Sequence, residues 1–230
     1  MINNEQRVWE VDLLRGLGLF LMIYFHAIYD MKEIYQYNVV YENGFNYYIG
    51  KISGVLFIFA SGISCFLSRS NIRRAFKILA IAVFITVFTH LYNPDLGVKF
   101  GILHFLGVSI LISPFLKKMH PFILVAAGTG IIILKNYLYK GTASHDYLFP
   151  FGIYGADFIS ADYYPLVPWL GVFLYGLAAG RVLYLFKRSI FNINIRGNIL
   201  TIAGRNTLWI YLLHQPVIII VLALVKNVTR

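Results

Sequence analysis

Runs of about 20 mostly apolar residues recur along this chain, and they restrict its fold more than any other feature. A membrane-spanning helix needs roughly 17–25 such residues. In lipid the backbone must satisfy its amides within the segment, which makes helix the sensible choice for these runs. Seven stretches qualify, at about 11–29, 48–67, 76–91, 100–116, 121–137, 165–185 and 202–225. The fourth is short, and the last contains Pro216. The connection 138–164 is rich in glycine, aromatics and acids, with room for a re-entrant piece, so an eighth membrane segment stays open. The expectation is an all-α polytopic membrane protein with about seven spanning helices.

Composition agrees. Hydrophobic residues make up 59% of the chain and charged residues 13%, against about 25% charged in soluble domains. The 17 tyrosines and 19 phenylalanines suit the interfaces of a bilayer. A net charge of +10 would raise nucleic acid as a partner for a soluble chain. Here it reads instead as the excess of Lys and Arg in cytoplasmic loops. With the N-terminus inside, the inner segments carry Arg7, Arg69, Arg73, Arg74, Lys77, Lys117, Lys118, Arg181, Lys187, Arg188, Arg196 and Arg205. The outer ones carry Lys32, Lys99, Lys135, Lys140, Lys226 and Arg230, with the acids Asp30, Glu33, Glu42, Asp95, Asp146, Asp157 and Asp162. A cytoplasmic N-terminus is expected. The first apolar stretch holds Asp12 and Arg15 and lacks a small-residue cleavage site, so it reads as a retained helix and not a signal peptide. Cys65 is the single cysteine, which excludes an intramolecular disulfide. No internal repeat or polar linker divides the chain, and residues 1–230 are expected to form one domain.

The first helix carries charge where lipid should be. Its sequence is VWEVDLLRGLGLFLMIYFHAIYD. At about 100° per residue, the eleven steps from Arg15 to His26 complete three turns with roughly 20° to spare, and the two lie about 16 Å apart along the axis. Asp12 is three residues before Arg15 and Asp30 is four after His26, so all four share one face. Ionisable residues inside a span are functional candidates by default, and four on one face predict a polar cavity. Asp12 and Arg15 can also neutralise one another near the helix end, and Asp30 can simply be wet.

Other spans add His104, near the start of the fourth, and His214, well inside the seventh. His90 reads as interfacial, and His120 and His145 as solvated loop residues. None of these has a neighbour at metal-ligand spacing, so no metal site is expected. Intramembrane His and Asp residues mark proton or ion pathways as readily as catalytic sites, which keeps a transporter or flippase for a polar or lipid-linked substrate as the alternative. Inverted repeats and paired broken helices, common in transporters, are not seen.

Several blocks together carry a resemblance. They are EVDLLRGLGLFLMIYFHAIYD, FIFASGISCFLS, KFGILHFLGVSILI, PWLGVFLYGLAAG and AGRNTLWIYLLHQPV, in order along most of the chain. The chain resembles the membrane acyltransferases related to heparan-α-glucosaminide N-acetyltransferase, in particular their small bacterial members. The Arg15 and His26 pair also looks like the arginine–histidine signature of the wider transmembrane acyltransferase superfamily. The resemblance implies transfer of an acyl group, commonly acetyl, from cytoplasmic acyl-CoA to an amine or hydroxyl of a sugar or glycoconjugate across a bacterial cytoplasmic membrane. It implies His26 as the catalytic base and Arg15 as support for the acyl-CoA end.

The residues fit that chemistry. Histidine is the usual base near neutral pH, and Asp30 can orient the ring or stabilise its charged form. His104 and His214 are candidates for acceptor contacts or oxyanion donors. Arg15, Arg73, Arg74 and Arg205 are candidates to grip the nucleotide phosphates of the donor. Asp12 and Asn206 complete the expected donor end. Asn206 lies eight residues before His214, on the same helical face. Gly16 and Gly18 read as packing positions. Neither a GxSxG elbow nor a Cys–His pair is present, which favours direct attack by the acceptor over an acyl-enzyme on Ser or Cys and leaves an acyl-His intermediate open. The oligomeric state stays open between monomer and homodimer.

Overall fold

A computed structural model describes residues 7–94, 97–138, 146–193, 195 and 197–228. His145 and the charged residues Asp95, Lys140, Arg196 and Arg230 lie outside the described residues. Among those described, the regular structure is helical: α1 Trp9–Glu33, α2 Gly44–Leu67, α3 Asn71–Tyr92, α4 Ile102–Leu116, α5 Pro121–Leu138, α6 Leu166–Leu183, α7 Ile199–Arg205 and α8 Thr207–Val228. A short 3-10 segment, Asp146–Phe151, precedes α6.

Six of the helices are long and apolar enough to cross a bilayer: α1, α2, α3, α5, α6 and α8. Helix α4, with 15 residues, is apolar but shorter; at about 1.5 Å per residue it reaches roughly 22 Å, less than a hydrocarbon core. The outward faces match a lipid solvent. Phe84, Phe88 and Leu91 of α3 and Ile220, Val221 and Leu224 of α8 are exposed, more apolar surface than a water-soluble fold leaves open.

The seventh apolar stretch is not one helix. Its start belongs to α7, and Asn206 closes that helix with its amide on the Ala203 carbonyl. The Asn206 carbonyl then accepts the Trp209 and Ile210 amides as α8 begins. A polar residue at the junction gives both helix ends a partner, which a hydropathy window cannot register. Connection 146–164 holds no α-helix among its described residues. It docks instead on the turn before α4: the Asp162 carboxylate accepts the Ile102 amide at 2.9 Å, and Tyr164 donates its amide to Phe100.

Contacts gather the chain into two compact units, Met1–Phe57 with Lys187–Arg230, and Ile58–Phe186. In the first, α1 packs on α7 and α8. In the second, α3 packs on α4 and α5 on α6, and the end of α2 lies along α6. Small residues permit the closest approaches. A Cβ at Gly176 would sit 2.1 Å from the Phe59 carbonyl oxygen, and one at Gly171 would sit 2.5 Å from that of Gly128. Close backbone contact is how helices associate where water supplies no hydrophobic drive. The core of the second unit is Ile58, Ile63, Phe105, Ile110, Phe173 and Leu177.

Candidate active site

The polar face of α1 is covered at one end by α7 and at the other by α8. At the α7 end, three guanidinium groups converge on one buried carboxylate. Asp12 is 2% exposed. Its oxygens lie 3.2 Å from Arg7 Nε, 3.6 Å from Arg15 Nη1 and 3.5 Å from Arg205 Nε. Close packing makes this possible: a Cβ at Gly204 would sit 1.7 Å from the Asp12 carbonyl oxygen, and one at Gly16 would sit 1.9 Å from that of Leu200. With hydrogens at both positions, α7 lies directly on α1 and Arg205 reaches Asp12. Three positive groups on one negative group leave a local excess of positive charge, a setting that favours a phosphate-bearing ligand. Gly16 keeps its expected packing role, and Gly18 packs against Leu56 and Phe57 of α2.

At the α8 end sit His26, Asp30, His214 and Gln215. The two imidazole rings meet edge to face, with centroids 4.8 Å apart. His26 Nδ1 lies 2.9 Å from the Met22 carbonyl, and His214 Nδ1 contacts the Tyr211 carbonyl. A carbonyl only accepts, so in each neutral ring Nδ1 carries the hydrogen and Nε2 holds the lone pair. Both rings therefore present a base nitrogen. His214 Nε2 is buried and without a hydrogen-bond partner. Asp30 is fully buried, and Gln215 Nε2 donates to its two oxygens at 2.8 and 2.9 Å. The Gln215 carbonyl oxygen is buried and unpartnered as well. The unmatched atoms here are acceptors, so this cluster suits a ligand that brings donors.

Aromatic side chains flank this end. Phe25 contacts His26 edge-on at 5.9 Å and Tyr41 at 6.0 Å, and Tyr29 lies 5.1 Å from Tyr41. Tyr41 donates its hydroxyl to Glu33 at 3.0 Å. Burial, and then that hydrogen bond, pushes the Tyr41 phenol above its usual range, so it stays a protonated donor.

The remaining expected residues make other contacts. Asn206 donates its side-chain amide to the Ile202 carbonyl and holds the α7–α8 junction. Arg73, Arg74 and His104 belong to the second unit. There Arg73 is exposed, and Arg74 reaches Ser61 at 3.3 Å. His104 Nε2 lies 3.2 Å from the Thr86 hydroxyl, which itself donates to the Val98 carbonyl. That hydroxyl has one hydrogen, so Nε2 must donate, and the buried Nδ1 is left as a bare acceptor without a partner. In its neutral form His104 therefore offers an acceptor there, not a donor.

Two contributors make contacts that local spacing does not pair. Gln215 is readable from the sequence as a polar residue able to reach a cavity from the seventh stretch, but no pattern ties it to Asp30. Glu10 is buried and accepts from Ser189 and from the Ile190 and Phe191 amides, fixing that segment to the start of α1. A glutamate in the first turn of an apolar helix was the only available signal.

No group of three or more His, Cys, Asp or Glu among the described residues is placed to hold a metal ion. No curated protein and no solved structure matches the chain. A family model described as heparan-alpha-glucosaminide N-acetyltransferase, catalytic, matches residues 7–216. That match takes in both polar clusters of α1 and nearly the whole chain, and the protein therefore belongs to the heparan-alpha-glucosaminide N-acetyltransferase catalytic family, which is of transmembrane acetyltransferase type.

Proposed function

We propose that the protein moves an acetyl group from cytoplasmic acyl-CoA to an acceptor on the far side of a bacterial cytoplasmic membrane, with His26 as general base. The carrying observation is the His26 ring, tied through Nδ1 to the Met22 carbonyl, which leaves Nε2 as the proton acceptor. The acceptor's amine or hydroxyl attacks the thioester carbonyl carbon, and Nε2 takes its proton. The tetrahedral intermediate then expels the thiolate, which recovers that proton from His26. Asp30, one turn away, stabilises the imidazolium between the two steps. His214 meets the acceptor through its buried Nε2. A cluster of unmatched acceptors favours an amine, with its several hydrogens, over a lone hydroxyl.

The donor end falls to Arg15 and Arg205, held by Asp12, with Arg7 beside them. From Arg15 to His26 the helix rises about 16 Å, a distance suited to an extended pantetheine arm. Arg73, Arg74 and Asn206 are kept as candidates for the donor phosphates, and His104 as a candidate for acceptor contact, on residue chemistry alone. Seven crossings, with α4 as a short one, and a cytoplasmic N-terminus fit the distribution of basic residues. An aromatic flank of Phe25, Tyr29 and Tyr41 suits a sugar ring.

The test is thiol release by purified protein given acetyl-CoA and a panel of amino sugars. His26→Ala is expected to cut acceptor-dependent release by about 10²–10⁴-fold, the usual contribution of a positioned base. Full activity in that variant would refute His26 as the base. Acceptor transport without release would instead favour a transporter.

A further inference from the structure

Helices α5 and α6 leave an apolar groove of about 450 Å³ between them at one end of the pair. Pro121, Phe122 and Val125 line one wall, and Ala178, Ala179 and Val182 face them. Phe122 is 75% exposed and Val182 63%, so the groove opens outward. Alanines on α6 supply the depth, since any larger side chain there would fill it.

The same end is strongly basic. Lys117 and Lys118 stand in the turn just before Pro121. Arg181 is pinned to that turn, donating to the carbonyls of Lys117 and Met119, and it directly precedes Val182 in the groove wall. Three cations thus gather at the groove mouth. Among the described residues none of the three forms an ion pair. The sequence has no Asp or Glu from residue 96 to 145 or after Asp162. Asp162 itself sits at the other end of α4, on the Ile102 amide.

An apolar slot beside unpaired cations near the end of a membrane helix matches one ligand chemistry. We propose that this groove holds an anionic phospholipid of the surrounding bilayer, one acyl chain between α5 and α6 and the phosphate on Lys117, Lys118 and Arg181. Basic pockets between membrane helices recognise acidic head groups in this way. The groove belongs to the second unit, and its occupancy does not depend on the acetyl-transfer reading.

Native mass spectrometry of the full chain, released from vesicles with equal phosphatidylglycerol and phosphatidylcholine of matched chains, reads the site directly. Wild type is expected to retain phosphatidylglycerol preferentially. Two cations near a membrane surface account for about 30-fold in affinity, so Lys117→Gln with Lys118→Gln should lower the preference by about that factor. Arg181 is left intact because it caps α4 carbonyls. Ala179→Trp, which fills the slot while keeping every charge, should also lose the bound lipid, with an unchanged melting temperature confirming the fold. Equal retention of the two lipids overturns the proposal, as does retention unaltered in both variants. A dimer that Ala179→Trp disperses, with no change in bound lipid, would assign the groove to a second copy and overturn it too.

Discussion

Asp12 and Asp30 are both buried carboxylates on one helix, yet they are satisfied in opposite ways. Asp12 meets three guanidinium groups, while Asp30 meets one neutral amide. A carboxylate held only by a neutral donor has no built-in counter-charge, so a cation formed beside it is the partner that its charge answers. Asp30→Asn should therefore lower kcat more than it raises KM for either substrate. The loss is expected at roughly 10–100-fold, below the ~10⁴ seen when the carboxylate bonds the base directly. Steady-state kinetics on both substrates checks it, and an unchanged kcat would remove Asp30 from the reaction. Arg15 belongs to the other cluster. Its replacement by Ala removes one charge-assisted contact, and KM for acetyl-CoA should rise about tenfold or more. Titrating donor and acceptor separately decides the matter, because an equal loss for both would contradict a donor-side role.

Among elements, the contact of α1 with α7 is the most exacting. It rests on Gly16 and Gly204, where any Cβ would strike backbone of the facing helix. Gly204→Ala must push α7 away from Asp12. Overpacking of this kind costs about 1–3 kcal/mol, and it withdraws Arg205 from its carboxylate. The expected result is a lower melting temperature together with a higher KM for the donor; a variant with unaltered melting would show that the helices tolerate separation. This contact also marks the border of what periodicity could read. The stripe of Asp12, Arg15, His26 and Asp30 follows from 3.6 residues per turn, and the Asp12–Arg15 pair follows from i,i+3 spacing. His214 stood out as an ionisable group inside a span. The arrival of Arg205 at Asp12, and of Gln215 at Asp30, depends on which helices pack together across the chain, which no local pattern encodes. The same limit applies to the division of the last apolar stretch at Asn206, since hydropathy continues through it while the hydrogen bonds do not.

For the molecule as a whole, the distribution of charge predicts its placement in the bilayer. Lys118 lies in the basic turn between α4 and α5, and Lys99 lies near the acidic connection that carries Asp162. With a cytoplasmic N-terminus, Lys99→Cys should react with a membrane-impermeant maleimide on intact cells, and Lys118→Cys should react only after permeabilisation. The native Cys65 is buried and leaves the background low. The reverse pattern would invert the topology and move the donor cluster to the wrong side for cytoplasmic acyl-CoA. The apolar exterior and helical architecture were readable in composition and run length alone. The gathering of contacts into two units was not, because the first unit draws its helices from both ends of the chain.

That arrangement has a consequence for biosynthesis. His26 and Asp30 leave the ribosome early, but Gln215 follows Asp30 by 185 residues. At about 5–20 residues per second, synthesis of the intervening chain takes roughly 10–40 s. During that interval the Asp30 carboxylate lacks its amide donor, and translation must run to the last helix before Gln215 can meet it. A chain cut short before α8 carries Asp30 without that donor and the His26 ring without its edge-to-face partner His214.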